Sequence, residues 1–138
     1  MTENNKKKRT AAAVLIIITL AFIWSNSLLN REYSTMESNW VLELFSLIFG
    51  SGAVSEHFIR KLAHFAEFAF LGAELYVFFG KYRLSVSHGL FAALADESLQ
   101  MLSDRSAEVK DVLLDFSGVA TGAAICLLIV NLAIKNKE

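Results

Sequence analysis

The 138-residue chain has no proline, a single cysteine and only seven glycines. Without proline, any break in a helix must come from glycine or from polar residues. The lone cysteine, Cys126, rules out an intrachain disulfide. The formal net charge of −1 leaves no basic excess for nucleic acid to recognise. Internal repeats and low-complexity tracts are also missing. What the chain has in quantity is apolar residues: 54% are hydrophobic and only 20% charged, with a mean hydropathy of +0.44. A soluble domain of this size could not keep that much apolar surface inside. The charges are clustered, lying at the N-terminus, in short breaks between apolar runs, and at a few positions within those runs. That is the pattern of a polytopic membrane protein.

The pattern predicts an all-α fold, one membrane domain over residues 1–138 built as a four-transmembrane-helix bundle. Residues 1–9 (MTENNKKKR) read as a polar, basic tail. Four spans follow, at about 10–29, 58–79, 84–102 and 111–134, each near the roughly 20 residues a bilayer crossing needs. A secretory signal peptide is the rival reading of the first run; the lack of an A-x-A-like cleavage site counts against it. The long connection between spans one and two contains "NWVLELFSLIFG" (39–50), too short to cross. It fits a short interfacial helix with Trp40 at the headgroup level. The third span is the least apolar, since Asp96, Glu97 and Gln100 fall at its end.

Lysine and arginine set the orientation. With four spans, Lys6, Lys7, Lys8, Arg9, Lys81, Arg83, Lys135 and Lys137 all fall on one side, the cytoplasmic one. The other side holds Arg31, Arg60, Lys61, Arg105 and Lys110, mixed with acids. Both termini are therefore expected in the cytoplasm, and the protein in a cell membrane as a multi-pass chain.

This topology brings the intramembrane charges to one layer. Span two enters from outside with Arg60, Lys61, His64 and Glu67 in its first turns. Span three leaves toward the outside with Asp96, Glu97 and Gln100. Span four re-enters with Asp111 and Asp115. Arg60, His64, Glu67 and Glu74 share a side of span two by i, i+4, i+7 spacing. Asp111, Asp115, Gly118 and Gly122 share a side of span four, and Gly118-x-x-x-Gly122 lets another helix approach closely. Ionisable groups at membrane depth are costly and usually mark function. A purely structural reading pairs Arg60 or Lys61 with Asp111, and Arg105 with Glu97. Five acids within the spans (Glu67, Glu74, Asp96, Glu97, Asp115) outnumber the nearby bases, which suggests a polar pocket open to the outside. His57, His88 and Cys126 read as bystanders.

"RKLAHFAEFAFLG" (60–72), "DESLQ" (96–100) and "RSAEVKDVLLDFSGVATG" (105–122) closely resemble the VanZ-like membrane proteins. That family carries an R-K-x-x-H-x-x-E-[FY] segment, a D-E-x-x-Q segment and an R-x-x-x-x-x-D-x-x-x-D-x-x-G segment. All three occur here in order, and "WSNS" (24–27) resembles the family's Ser-rich outer end of the first span. The resemblance covers about residues 11–130. It implies a bacterial cell-membrane protein with a role in teicoplanin (glycopeptide) resistance or cell-envelope homeostasis. The family's polar positions correspond to Arg60, Lys61, His64, Glu67, Asp96, Glu97, Gln100, Arg105, Asp111, Asp115 and Gly118.

Two classes of function use these same residues. In an enzyme, His64, Glu67, Asp96 and Glu97 supply acid–base groups while Arg60, Lys61, Gln100, Arg105, Asp111 and Asp115 hold a lipid head group. In a binding protein, the cluster recognises a lipid-linked wall precursor or another anionic lipid head group without chemistry. A transporter is a third reading and would need an oligomer to form a pathway. No cofactor and no metal is predicted: His64-x-x-Glu67 puts two ligands on one face, but no second such motif accompanies it.

Overall fold

The computed structural model describes residues 3–28, 55–102 and 108–136. The predicted interfacial segment 39–50 and Arg105 lie outside the described residues. The described chain is all helical, with α1 (Glu3–Leu28), α2 (Glu56–Phe79), α3 (Tyr82–Leu102) and α4 (Val109–Lys135) in order.

Helix α1 starts earlier than the sequence suggests. The basic block expected as a tail continues the helix back to Glu3. Lysine and arginine are good helix formers, no proline interrupts them, and Glu3 pairs with Lys7 one turn on at 3.1 Å. Helix α2 is capped at both ends. The Ser55 hydroxyl accepts from the Phe58 amide at 3.2 Å. At the other end Gly80 adopts the left-handed conformation (φ 66°) and donates to the Tyr76 carbonyl. That turn leaves only Gly80 and Lys81 between α2 and α3, making them antiparallel neighbours.

The remaining directions follow from contacts. Along α1, Arg9 lies over the Phe78 ring, Thr19 meets Glu74 and Ser27 meets Asp96. As α1 runs forward, α2 therefore runs back. Between α2 and α4, Lys61 meets Asp111 and His64 meets Asp115, so these two run the same way. The α2–α4 seam is the most extensive in the bundle. It is built on glycine: a Cβ at Gly118 would lie 2.5 Å from the Phe65 carbonyl oxygen, and one at Gly122 would strike the Ala69 backbone. The small-residue face predicted for span four thus faces protein.

Three helices, spanning Lys6–Leu28, His57–Phe79 and Val109–Lys135, are long and apolar enough to cross a membrane. Helix α3 is less apolar because its inward face is polar. Ser85, Asp96, Glu97 and Gln100 are buried while Leu90, Phe91, Leu94, Met101 and Leu102 point out. Inside, Ile23, Phe68, Leu71, Leu75, Ala92, Ala93 and Val119 form a thin apolar core. Outside, Ile17, Phe22, Phe70, Phe91 and Leu132 are each more than half exposed. Large apolar side chains turned outward on every helix suit hydrocarbon as the surrounding medium, not water.

Candidate functional site

The up-and-down arrangement brings the end of α1, the start of α2, the end of α3 and the start of α4 to one end of the bundle. The polar residues gather there in two layers.

In the outer layer, Lys61 Nζ donates to Asp111 Oδ1 at 2.6 Å, with both side chains partly exposed. This is one of the pairs expected from sequence. Arg60 is half-buried beside it and reaches His57 Nδ1 at 3.4 Å. Glu97, on α3, accepts from the backbone N–H of Glu108 at 2.5 Å, which ties the end of α3 to the start of α4. Arg105, the partner expected for Glu97, is among the residues not described.

The inner layer lies about one turn deeper. His64 Nδ1 stands 3.8 Å from Asp115 Oδ1. Asp115 is 1% exposed, and its Oδ2 accepts no hydrogen bond among the described residues. Asp96 is fully buried, and both of its oxygens are engaged. Ser27 Oγ donates to Oδ1 at 2.5 Å and Gln100 Nε2 to Oδ2 at 2.8 Å. The carboxyls of Asp96, Asp111, Glu97 and Glu67 all lie close enough to act on Asp115 electrostatically. One ligand atom from each of His64, Asp96 and Asp115 falls within 4.8 Å of the other two. This is the one cluster among the described residues with the donors and spacing to hold a metal ion.

Of the residues singled out from sequence, His64, Asp96, Gln100 and Asp115 meet in the inner layer, with Glu67 near. Lys61, Asp111 and Glu97 lie in the layer above, with Arg60 beside them. Glu74 shares the α2 stripe but not the site. It sits about 15 Å deeper than His64 at 1.5 Å rise per residue, where Thr19 Oγ1 donates to it at 3.0 Å. Ser27 belongs to the site and was not among the candidates. Its only signal was its place in "WSNS". His88 is outside the site, packed on Phe79 with ring centroids 4.4 Å apart. Cys126 is a half-buried free thiol.

Next to the polar layers runs an apolar groove of about 450 Å³ between α1, α2 and α3, lined by residues including Ile16, Leu20, Trp24, Leu71, Phe91 and Ala95. Its upper end is one turn from the cluster on two helices: Trp24 precedes Ser27, and Ala92 precedes Asp96. The Trp24 indole N–H is buried without an acceptor among the described residues.

No curated protein and no solved structure matches the chain. A family model described as VanZ/LLP1 matches residues 10–130, nearly the whole length and all three polar segments of the cluster, and the chain belongs to that family.

Proposed function

We propose that this chain is a multi-pass protein of the bacterial cell membrane that binds a lipid-linked envelope component, with the head group at the polar end and the chain in the groove. All four helices cross in this reading. Helix α3 does so because its polar residues face protein and its lipid-facing side is Leu90, Phe91, Leu94 and Met101. The basic residues at the two termini and at the α2–α3 turn lie at the opposite end from the cluster, which supports a reading with both termini in the cytoplasm and the cluster in the outer leaflet. The observation that carries the proposal is the junction itself. A buried layer of polar groups meets an apolar groove at Trp24–Ser27 and Ala92–Asp96, the shape of an amphipathic ligand.

Binding is favoured over acid–base catalysis by the groove, an apolar cleft with no carboxyl group in its lining. By retaining a wall precursor at the outer leaflet, such a protein would alter tolerance to teicoplanin. The test is lipid retention measured by native mass spectrometry of the detergent-purified protein. Ala95→Phe fills the groove from a partly exposed lining position. It should remove a bound envelope lipid and lower teicoplanin tolerance while the protein still accumulates. A folded Ala95→Phe protein carrying the same lipid as the wild type would overturn the proposal.

A further inference from the structure

We infer that His64, Asp96 and Asp115 form a binding site for a divalent first-row transition cation of the zinc or manganese kind. Three separate observations lead there. The first is the donor set. One imidazole and two carboxylates, from three different helices, bring a ligand atom each to within 4.8 Å of the others. On a zinc ion with bonds of about 2.0–2.2 Å, neighbouring ligand atoms stand roughly 3.4 Å apart. His64 and Asp115 are already at 3.8 Å, so closing on an ion needs small side-chain rotations and no movement of helices.

The second is the state of Asp115. It is 1% exposed, lies against Asp96 and is influenced by three further acids, yet its Oδ2 meets no donor among the described residues. Lys61, one turn before His64 on α2, spends its ammonium on Asp111. A buried carboxylate oxygen without a donor is costly, and a cation between Asp96 and Asp115 removes both that cost and their mutual repulsion.

The third is the support around Asp96. Ser27 and Gln100 fix the carboxylate by neutral hydrogen bonds to both oxygens. Each oxygen keeps a further lone pair for an ion. Metal-ligating carboxylates are held by just such outer hydrogen bonds, which orient them without neutralising them.

The donor chemistry sets the class. The imidazole suits zinc or iron and the two carboxylates suit zinc or manganese, whereas magnesium and calcium take oxygen ligands alone. Three protein ligands leave a coordination position for water or for an oxygen of a bound molecule, as in catalytic rather than structural zinc sites. The sequence offers only part of this site: His64 stands out as a possible ligand, but with Glu67 as its partner and not Asp96 and Asp115. Its ligands come one from each of three helices, and no linear metal-binding spacing joins them.

The metal site stands apart from the lipid reading, since it requires only these three side chains, and the test needs no lipid. The full-length protein in detergent is stripped with a chelator, then titrated with zinc chloride. Bound zinc is counted after gel filtration, and cobalt(II) is substituted to read its visible absorption. The expected result is one zinc per chain, a higher melting temperature with zinc than with magnesium, and a cobalt spectrum. Asp115→Asn and His64→Gln should each weaken zinc more than tenfold and erase the cobalt spectrum. His64 is partly exposed, so His64→Gln remains informative should Asp115→Asn not fold. Glu74→Gln, an acid elsewhere on the same helix, should bind zinc as the wild type does. Wild-type protein that retains no zinc or manganese overturns the proposal. So does zinc that stays bound with the same affinity and cobalt spectrum in folded His64→Gln.

Discussion

Replacing Gly122 by alanine adds one methyl group to the chain, and the structure indicates how that methyl would act. A Cβ built on Gly122 stands 2.6 Å from the Ala69 carbonyl carbon and 2.9 Å from its Cα. The Ala69 carbonyl oxygen is closer still, and ordinary van der Waals contact begins at 3.4 Å, so α2 and α4 must part by more than an ångström at that point. The obstacle is backbone, which cannot rotate away as a side chain can. Overpacking of this kind costs about 1–3 kcal/mol, and a rigid obstacle puts this case at the upper end. Against it, alanine is a better helix former than glycine by about 1 kcal/mol. The net is a destabilisation of about 1–2 kcal/mol. Because packing rather than the hydrophobic effect holds helices together in lipid, little else compensates. The seam also sets the distance between His64 and Asp115, two turns up the same pair of helices, so the effect reaches the site. Melting of detergent-purified protein followed by circular dichroism is the assay, with zinc affinity measured alongside. Gly122→Ala should melt below the wild type and bind zinc more weakly. A variant as stable as the wild type, with unchanged zinc affinity, would refute the close approach of α2 and α4.

Two further predictions rest on single contacts. Ser27→Ala removes the hydroxyl that donates to buried Asp96 and should cost about 1.5–3 kcal/mol, the range for hydrogen bonds to charged groups. A Ser27→Ala protein that melts with the wild type in the same assay would mean that the bond contributes nothing. For topology, a cysteine placed at exposed Ser55 in a Cys126→Ala background should react with a membrane-impermeant maleimide added to whole cells, and one at exposed Lys81 should not. The reverse pattern would invert the orientation proposed above.

Much of this arrangement is legible along the chain. Three apolar runs correspond to α1, α2 and α4, the three helices long and apolar enough to cross a membrane, and the weakest run corresponds to the helix α3. The Lys61–Asp111 pair and the inward face of Gly118 and Gly122 follow from helical spacing and from which ends share a side. Glu74 shows where spacing misleads. A stripe records direction around a helix but says nothing of which neighbour meets it at each depth, and at Glu74 the neighbour is Thr19 of α1. Ser27 shows the opposite gap. A serine one residue from the end of an apolar helix looks like an interface residue until its partner, 69 positions on, is known. The metal triad is hidden for the same reason, since each ligand takes its meaning from two other helices. The helical reach of residues 3–9 is a different matter, because local propensity carried the helix past the point where hydropathy ends.

Three polar contacts fasten α1 to the rest of the bundle at three depths: Arg9 over the Phe78 ring at 5.1 Å, Thr19 to Glu74, and Ser27 to Asp96. Between them the inward face of α1 is Ala12, Ile16, Leu20, Ile23 and Trp24, side chains with no directional bond to fix their position along the helix axis. The contacts therefore act as a register lock. Moving α1 by a single residue shifts it about 1.5 Å and turns it by about 100°, and all three contacts are lost together. Because the last of them positions Asp96, the axial register of a helix that contributes only one serine to the site fixes the geometry of the carboxylate at its centre.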